Sequence, residues 1–149
     1  MLTISVNDAA FGSDLARLYK RLGDLTPVMS SIGMELESRI SARFETRSDP
    51  NGASWAPWAP ATVASYPDDG NRRLLDRYGK MLEGLSHKAD NNSVRVGFDK
   101  FYATFHEFGT THMPRRGLLF AEPNSGALGA GDEAAVLDIL SVWLGNLSN

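Results

Sequence analysis

The stretch Thr26-Pro-Val-Met-Ser-Ser-Ile-Gly-Met-Glu-Leu-Glu-Ser-Arg-Ile-Ser-Ala-Arg-Phe-Glu-Thr46 decides the fold class. Val28, Ile32, Leu36, Ile40 and Phe44 recur every four residues, which at 3.6 residues per turn draws one apolar stripe along a helix of about five turns. Pro27 marks its start, because proline in the first turn gives up no needed hydrogen bond and its φ is already helical. Upstream, Leu2, Ile4 and Val6 alternate with Thr3 and Ser5, the period-two pattern of a half-buried strand. Residues 8–12 read as a turn. Ser13 reads as the N-cap of a helix carrying Leu15, Leu18, Tyr19 and Leu22 and closed by Gly23.

Downstream the texture changes. Ser48-Asp-Pro-Asn-Gly52 is a turn cluster, and Trp55-Ala-Pro-Trp58-Ala-Pro60 sets two indoles among prolines. This predicts an ordered loop whose indoles either dock on their own domain or anchor an interface. A short helix is expected over 62–66, a turn and hinge over 67–71, and a helix over 72–87 interrupted near Gly79. Val94, Val96 and Phe98 predict a second strand. The pattern over 101–108 admits helix or strand and ends at Gly109, where a positive φ is expected. Residues 113–120 read as extended because Pro114 disfavours helix at itself and before it. Residues 124–131 are glycine-rich and expected to be mobile. Asp132 reads as the cap of a last helix bearing Val136, Leu140, Trp143, Leu144 and Leu147, stopping near 145–146. Helices flanking a few strands, without strict β-α-β alternation or internal repeats, predict an α+β fold. It would be one domain over 1–149 with a small, mostly antiparallel sheet and mobile loops at about 46–71 and 121–131.

Composition narrows the function. With no cysteine among 149 residues, thiolate nucleophiles, redox pairs and cysteine-ligated zinc are excluded. A formal charge of −3 argues against bulk attraction to nucleic acid or anionic lipid. No apolar run approaches a membrane span, and the start of the chain does not read as a signal peptide.

Signatures of catalysis are weak. His106-Glu107 and His112 come nearest to a zinc motif, but the histidines are six apart where a helical zinc site needs four. His87 lies on another segment. No serine has the GxSxG setting. Gly126, Gly129 and Gly131 follow no clear strand, so a phosphate loop is not supported. Asp49, Asn51 and Gly52 imitate the start of a calcium loop without its closing glutamate. The carboxylate pairs Asp68/Asp69 and Asp132/Glu133 sit at turns or caps. Arginines collect at Arg39, Arg43 and Arg47, at Arg72 and Arg73, and at Arg115 and Arg116. Their bidentate forks suit subunit contacts, ordinary surface or phosphate contact.

The order of landmarks says more than any one of them. Arg43-Phe44 ends the long helix, Asp49-Pro50-Asn51-Gly52 leads into Trp55-Ala-Pro57, and Leu74-Leu75 precedes Gly79-Lys-Met-Leu82. Val94-Arg-Val-Gly97 then leads to Tyr102-Ala103 and His106-Glu-Phe108-Gly109, followed by Pro114-Arg-Arg116. Over about 26–120 this resembles the phage virion morphogenesis family, the tail completion proteins of Mu-like and related phages. Where that family usually carries a Pro-x-Arg-Pro-Phe-like run, this chain has Pro114-Arg-Arg-Gly-Leu118. The resemblance implies a structural virion protein of the tail-neck region, without catalytic residues, cofactor or metal, that completes the head-proximal end of the tail and enables head-tail joining. It implies self-association, as a ring of about six copies by the preference for closed symmetry. Its partners would be the tail tube or terminator and the head-tail connector. DNA would pass the lumen without specific binding, and no membrane is involved. Arg43, Phe44, Arg47, Trp55, Trp58, Arg72, Arg73, Arg115 and Arg116 are the interface candidates. Asp49, Pro50, Gly52, Pro57, Gly79, His106, Phe108, Gly109 and Pro114 are the structural motif. Two other readings make the chain a head-completion or capsid-assembly factor touching portal and DNA, or a metal-dependent hydrolase using His106, Glu107 and His112.

Overall fold

Three strands carry the apolar alternation that the sheet needs. In the computed structural model, which describes residues 2–65, 74–75 and 78–148, β1 (Leu2–Asn7), β2 (Leu85–Ala89) and β3 (Ser93–Phe98) form an antiparallel sheet in the order β1-β3-β2. The register places Leu2, Phe98 and Leu85 in one row and Ile4, Val96 and His87 in the next. Successive side chains point to opposite faces, so Ile4, Val6, Val94, Val96 and Phe98 share the buried face. Ser5, Ser86, Lys88 and Arg95 lie exposed on the other.

Helix α2 (Thr26–Thr46) lies across the buried face, and its stripe Val28, Ile32, Leu36, Ile40 and Phe44 is fully buried. Asp24 accepts hydrogen bonds from the Thr26 backbone at 2.9 Å and hydroxyl at 2.6 Å, satisfying a donor at the helix start. Gly33 lets the helix approach the sheet. A Cβ there would fall 2.5 Å from the His87 ring and 2.9 Å from Val94.

Helix α1 (Asp8–Leu22) begins earlier than expected. Residues 8–12 are its first turn, broken at Phe11 (φ −130°, ψ 31°), whose side chain is buried. Gly23 closes it at φ 73°. The short helix expected over 62–66 is α3 (Pro60–Ser65). Where a long helix is expected over 72–87, the described residues form a single turn, α4 (Lys80–Glu83), followed by β2. Hairpin pairing with β3 across the turn at 90–92 captures residues 85–89 and overrides their helical spacing. The pattern over 101–108 resolves as helix α5 (Tyr102–Phe108). The last helix, α6 (Ala130–Ser148), contains Asp132 inside its first turn instead of at the cap, and it passes Gly145 without stopping. Val136 and Leu140 are buried beneath it. The result is the α+β fold, with a small antiparallel sheet, that the sequence predicts. The turn and hinge at 67–71 lie outside the described residues.

Candidate assembly interface

The segment after α5 has no regular structure, so its backbone groups must find partners elsewhere. Glu107, on the inward face of α5, supplies them. Its fully buried carboxylate accepts from the backbone N–H of Leu118, of Leu119 at 3.3 Å and of Phe120 at 2.7 Å. Arg115 braces the same loop, donating to the Glu107 carbonyl at 2.7 Å and the Phe120 carbonyl at 2.6 Å.

The other landmarks converge on this loop. Arg116 donates to the carbonyls of Ala56 at 2.8 Å and Pro57 at 2.9 Å, and the Trp55 indole donates to the Gly117 carbonyl at 2.9 Å. Asp49 closes its own turn by accepting from Asn51 and Ala53 at 2.9 Å each, with Gly52 at φ 84°, and stands 4.0 Å from Arg115. The Pro50 carbonyl lies against Gly129, where a Cβ would fall 2.3 Å from it. Buried Arg43 donates to the Leu118 carbonyl and also pairs with Asp132 on α6. Arg39 reaches the second oxygen of Asp132 at 2.8 Å. A two-arginine clamp on one buried aspartate thus ties α2, α6 and the loop together.

Gly109 ends α5 at φ 74°, ψ 171°, the positive φ expected from sequence. A Cβ there would lie 3.0 Å from the Arg115 nitrogen and 3.2 Å from the Met113 carbonyl. Gly109→Val is expected to cost about 3 kcal/mol of unfolding free energy through backbone strain and this crowding. A urea titration indistinguishable from the parent's would contradict it.

His106 has a buried Nδ1 with no hydrogen-bond partner among the described residues. Burial, with Arg116 nearby as the second cause, depresses its pKa from the usual 6.5 to about 4. The unfolded chain therefore takes up a proton near pH 6.5 that the folded chain refuses until about pH 4. The resulting stability is complete above the unfolded value and declines as pH falls through that window. After allowance for the ring's partial exposure, the loss is roughly 2 kcal/mol. His106→Phe is expected to flatten the profile between pH 6.5 and 4, and an unchanged slope would refute the assignment.

Most of the arginine and aromatic candidates serve inside the chain. Arg43 is buried and Arg115 and Arg116 spend donors on backbone carbonyls. Phe44 is fully buried, edge-on to Trp55 at 5.5 Å and to Phe98 at 6.3 Å. Trp58 is half-buried on the wall of a ≈ 470 Å³ cleft that His106, Tyr102 and Met81 share. Arg47 is exposed, in the left-handed conformation that caps α2. Pro57 and Pro114 are exposed, and Gly79 opens α4 at φ 79°. Arg72 and Arg73 lie outside the described residues. Among the described residues, no group of three or more His, Asp or Glu side chains could hold a metal ion. His87 pairs instead with Glu37 on α2, at 2.5 Å. No helix of the described residues is long and apolar enough to cross a membrane.

What the outside of α5 shows was missed by reading the sequence. Phe101, Phe105 and Phe108 are 72%, 47% and 46% exposed, with Phe101 and Phe105 edge-on at 6.0 Å. The i, i+4, i+7 spacing was the signal, but its use depended on knowing that 101–108 is a helix. It also depended on knowing that Ala103 and Glu107 are the residues facing in. Contiguous exposed aromatic surface braced from behind is a feature of interaction sites.

The family model for the phage virion morphogenesis family matches residues 6–145. No curated protein and no solved structure matches the chain.

Proposed function

The chain belongs to the phage virion morphogenesis family, and from that premise we propose that it is a structural component of the tail-neck region, completing the head-proximal end of the tail so that heads can join. Membership places the protein in virion assembly and points to a structural rather than a catalytic role. The observation that carries the finer reading is the exposed Phe101, Phe105 and Phe108 row on a helix held rigid by Glu107. Such a surface suits a subunit that works by self-association and docking. The expected form is a closed ring of about six copies, the symmetric solution for identical subunits. It would meet the tail tube or terminator on one side and the connector on the other. A net charge of −3 would let DNA pass without adhering.

The test is an amber or deletion mutant of the gene in its phage, with the lysate viewed by negative-stain electron microscopy. Filled heads beside unattached tails of normal or irregular length are the expected result. Heads that have lost their DNA, beside finished tails, would move the protein to the head side of the neck and overturn tail completion. Infectious virions in normal yield would overturn the assembly role in the neck altogether.

A further inference from the structure

The aromatic row has a counterpart on the same chain. Leu15, Ala16, Tyr19, Leu25, Asn91 and Asn92 line a groove of ≈ 410 Å³ between α1 and the turn joining β2 to β3. Tyr19 is half exposed there and Ala16 leaves room beside it. The two surfaces lie at opposite ends of the molecule. Leu25, in the groove, immediately precedes α2, while Arg43 in the last turn of α2 holds the loop that Glu107 of α5 binds. At 1.5 Å per residue, the intervening helix separates Leu25 from Arg43 by about 27 Å. No single chain can therefore seat its own row in its own groove.

We propose that the protein associates head to tail, the α5 row of one copy entering the α1 groove of the next. This rests on the self-association reading above and names its surfaces. Two different patches at opposite ends make a heterologous contact, the kind that generates a ring when the rotation closes. Area points to a second copy of this chain. The row exposes roughly 300 Å² of aromatic surface, at about 200 Å² per side chain, whereas a stable interface needs about 800 Å² on each partner. It can form the dry centre of such an interface but cannot hold an isolated pair firmly. Contact repeated around a ring supplies the missing stability, because the last subunit closes two interfaces at once.

The absence of cysteine makes the test direct. A chain carrying both Phe105→Cys and Ala16→Cys, each an exposed position, is treated with a short bismaleimide linker. A ladder of dimers, trimers and larger species is expected, with each single variant remaining monomeric. Dimers from Phe105→Cys alone, at the double variant's yield, would show face-to-face pairing and overturn the head-to-tail geometry. A double variant that yields only monomer would overturn the proposal as well. In parallel, Phe105→Glu and Ala16→Glu chains are followed by sedimentation velocity, with thermal melts confirming that both fold. Each is expected to lose self-association by about 100-fold or more, and their mixture, which can make only isolated pairs, is expected to form no ring and nothing larger than a weak dimer. A mixture, or either variant alone, that still assembles beyond a dimer would refute the pairing of these two surfaces. None of these results depends on the virion phenotype, so failure here leaves the lysate test of tail completion intact.

Discussion

Glu107→Ala is expected to lower the unfolding free energy by roughly 4 kcal/mol, a large share of the about 5–15 kcal/mol that an ordinary domain has. The Glu107 carboxylate accepts from three consecutive backbone N–H groups, and the side chain is fully buried. Alanine leaves the N–H groups of Leu118 and Leu119, both fully buried residues, without that acceptor. It also opens a cavity the size of a carboxymethyl group. An unmade buried hydrogen bond costs about 1–3 kcal/mol, more when the lost partner is charged. Glu107→Gln separates the two contributions, since it keeps the volume and one acceptor oxygen while turning an amide N–H₂ toward a backbone donor. Its expected loss is about half that of alanine. Urea titrations of the three proteins measure both, and a loss below about 1 kcal/mol for alanine would mean that the loop carries itself. A second consequence separates stability from assembly. At temperatures where Glu107→Gln remains folded, its self-association should weaken, because Glu107 fixes the helix whose outer face carries the aromatic row.

The same residue shows why only part of the site could be read in the sequence. The stripe on α2 and the alternation in β1 and β3 are local patterns, and local periodicity is visible in one dimension. The burial of β2 also alternates, but only Leu85 is strongly apolar. His87 earns its place on the inner face through Glu37, fifty residues away in the chain. Along 101–108 the usual polarity is inverted, with a glutamate inside and three phenylalanines outside. Nothing near Glu107 in sequence announces that its partners are the amides of 118–120. The landmark order was informative because Asp49, Trp55, Gly109, Arg115 and Arg116 converge on one loop. Taken singly, each looks like a turn residue or a surface charge. Their donors turn inward, so the arginine-rich segments say more about how the loop is braced than their composition suggests.

Asp132→Ala is expected to cost about 3–5 kcal/mol, the penalty for removing one partner of a buried ion pair. Asp132 is 1% exposed and receives both guanidinium groups, from Arg39 at 2.8 Å and from Arg43. The two arginines are not equivalent. Arg39 is 38% exposed and can turn to water, so Arg39→Ala should cost less than about 1 kcal/mol. Arg43 is 8% exposed, and among the described residues its other acceptor is the Leu118 carbonyl. In Asp132→Ala it is left as an uncompensated buried charge, which is where most of the penalty arises. The argument has a sharp corollary. If the loss comes from the stranded charge, removing that charge should restore stability, and Arg43→Met with Asp132→Leu should recover most of it. Thermal unfolding of both singles and the double measures the coupling. Additive losses would instead show that each side chain acts independently, Arg43 chiefly by holding Leu118 and Asp132 by docking α6. Recovery in the double variant would mean that apolar packing can replace the ion pair as the junction between α2 and α6. The clamp's distinct contribution would then be orientation. Asp132 on α6 binds Arg39 and Arg43 of α2, and Arg43 holds the Leu118 carbonyl, so the clamp sets where the loop, and the α5 surface behind it, stand.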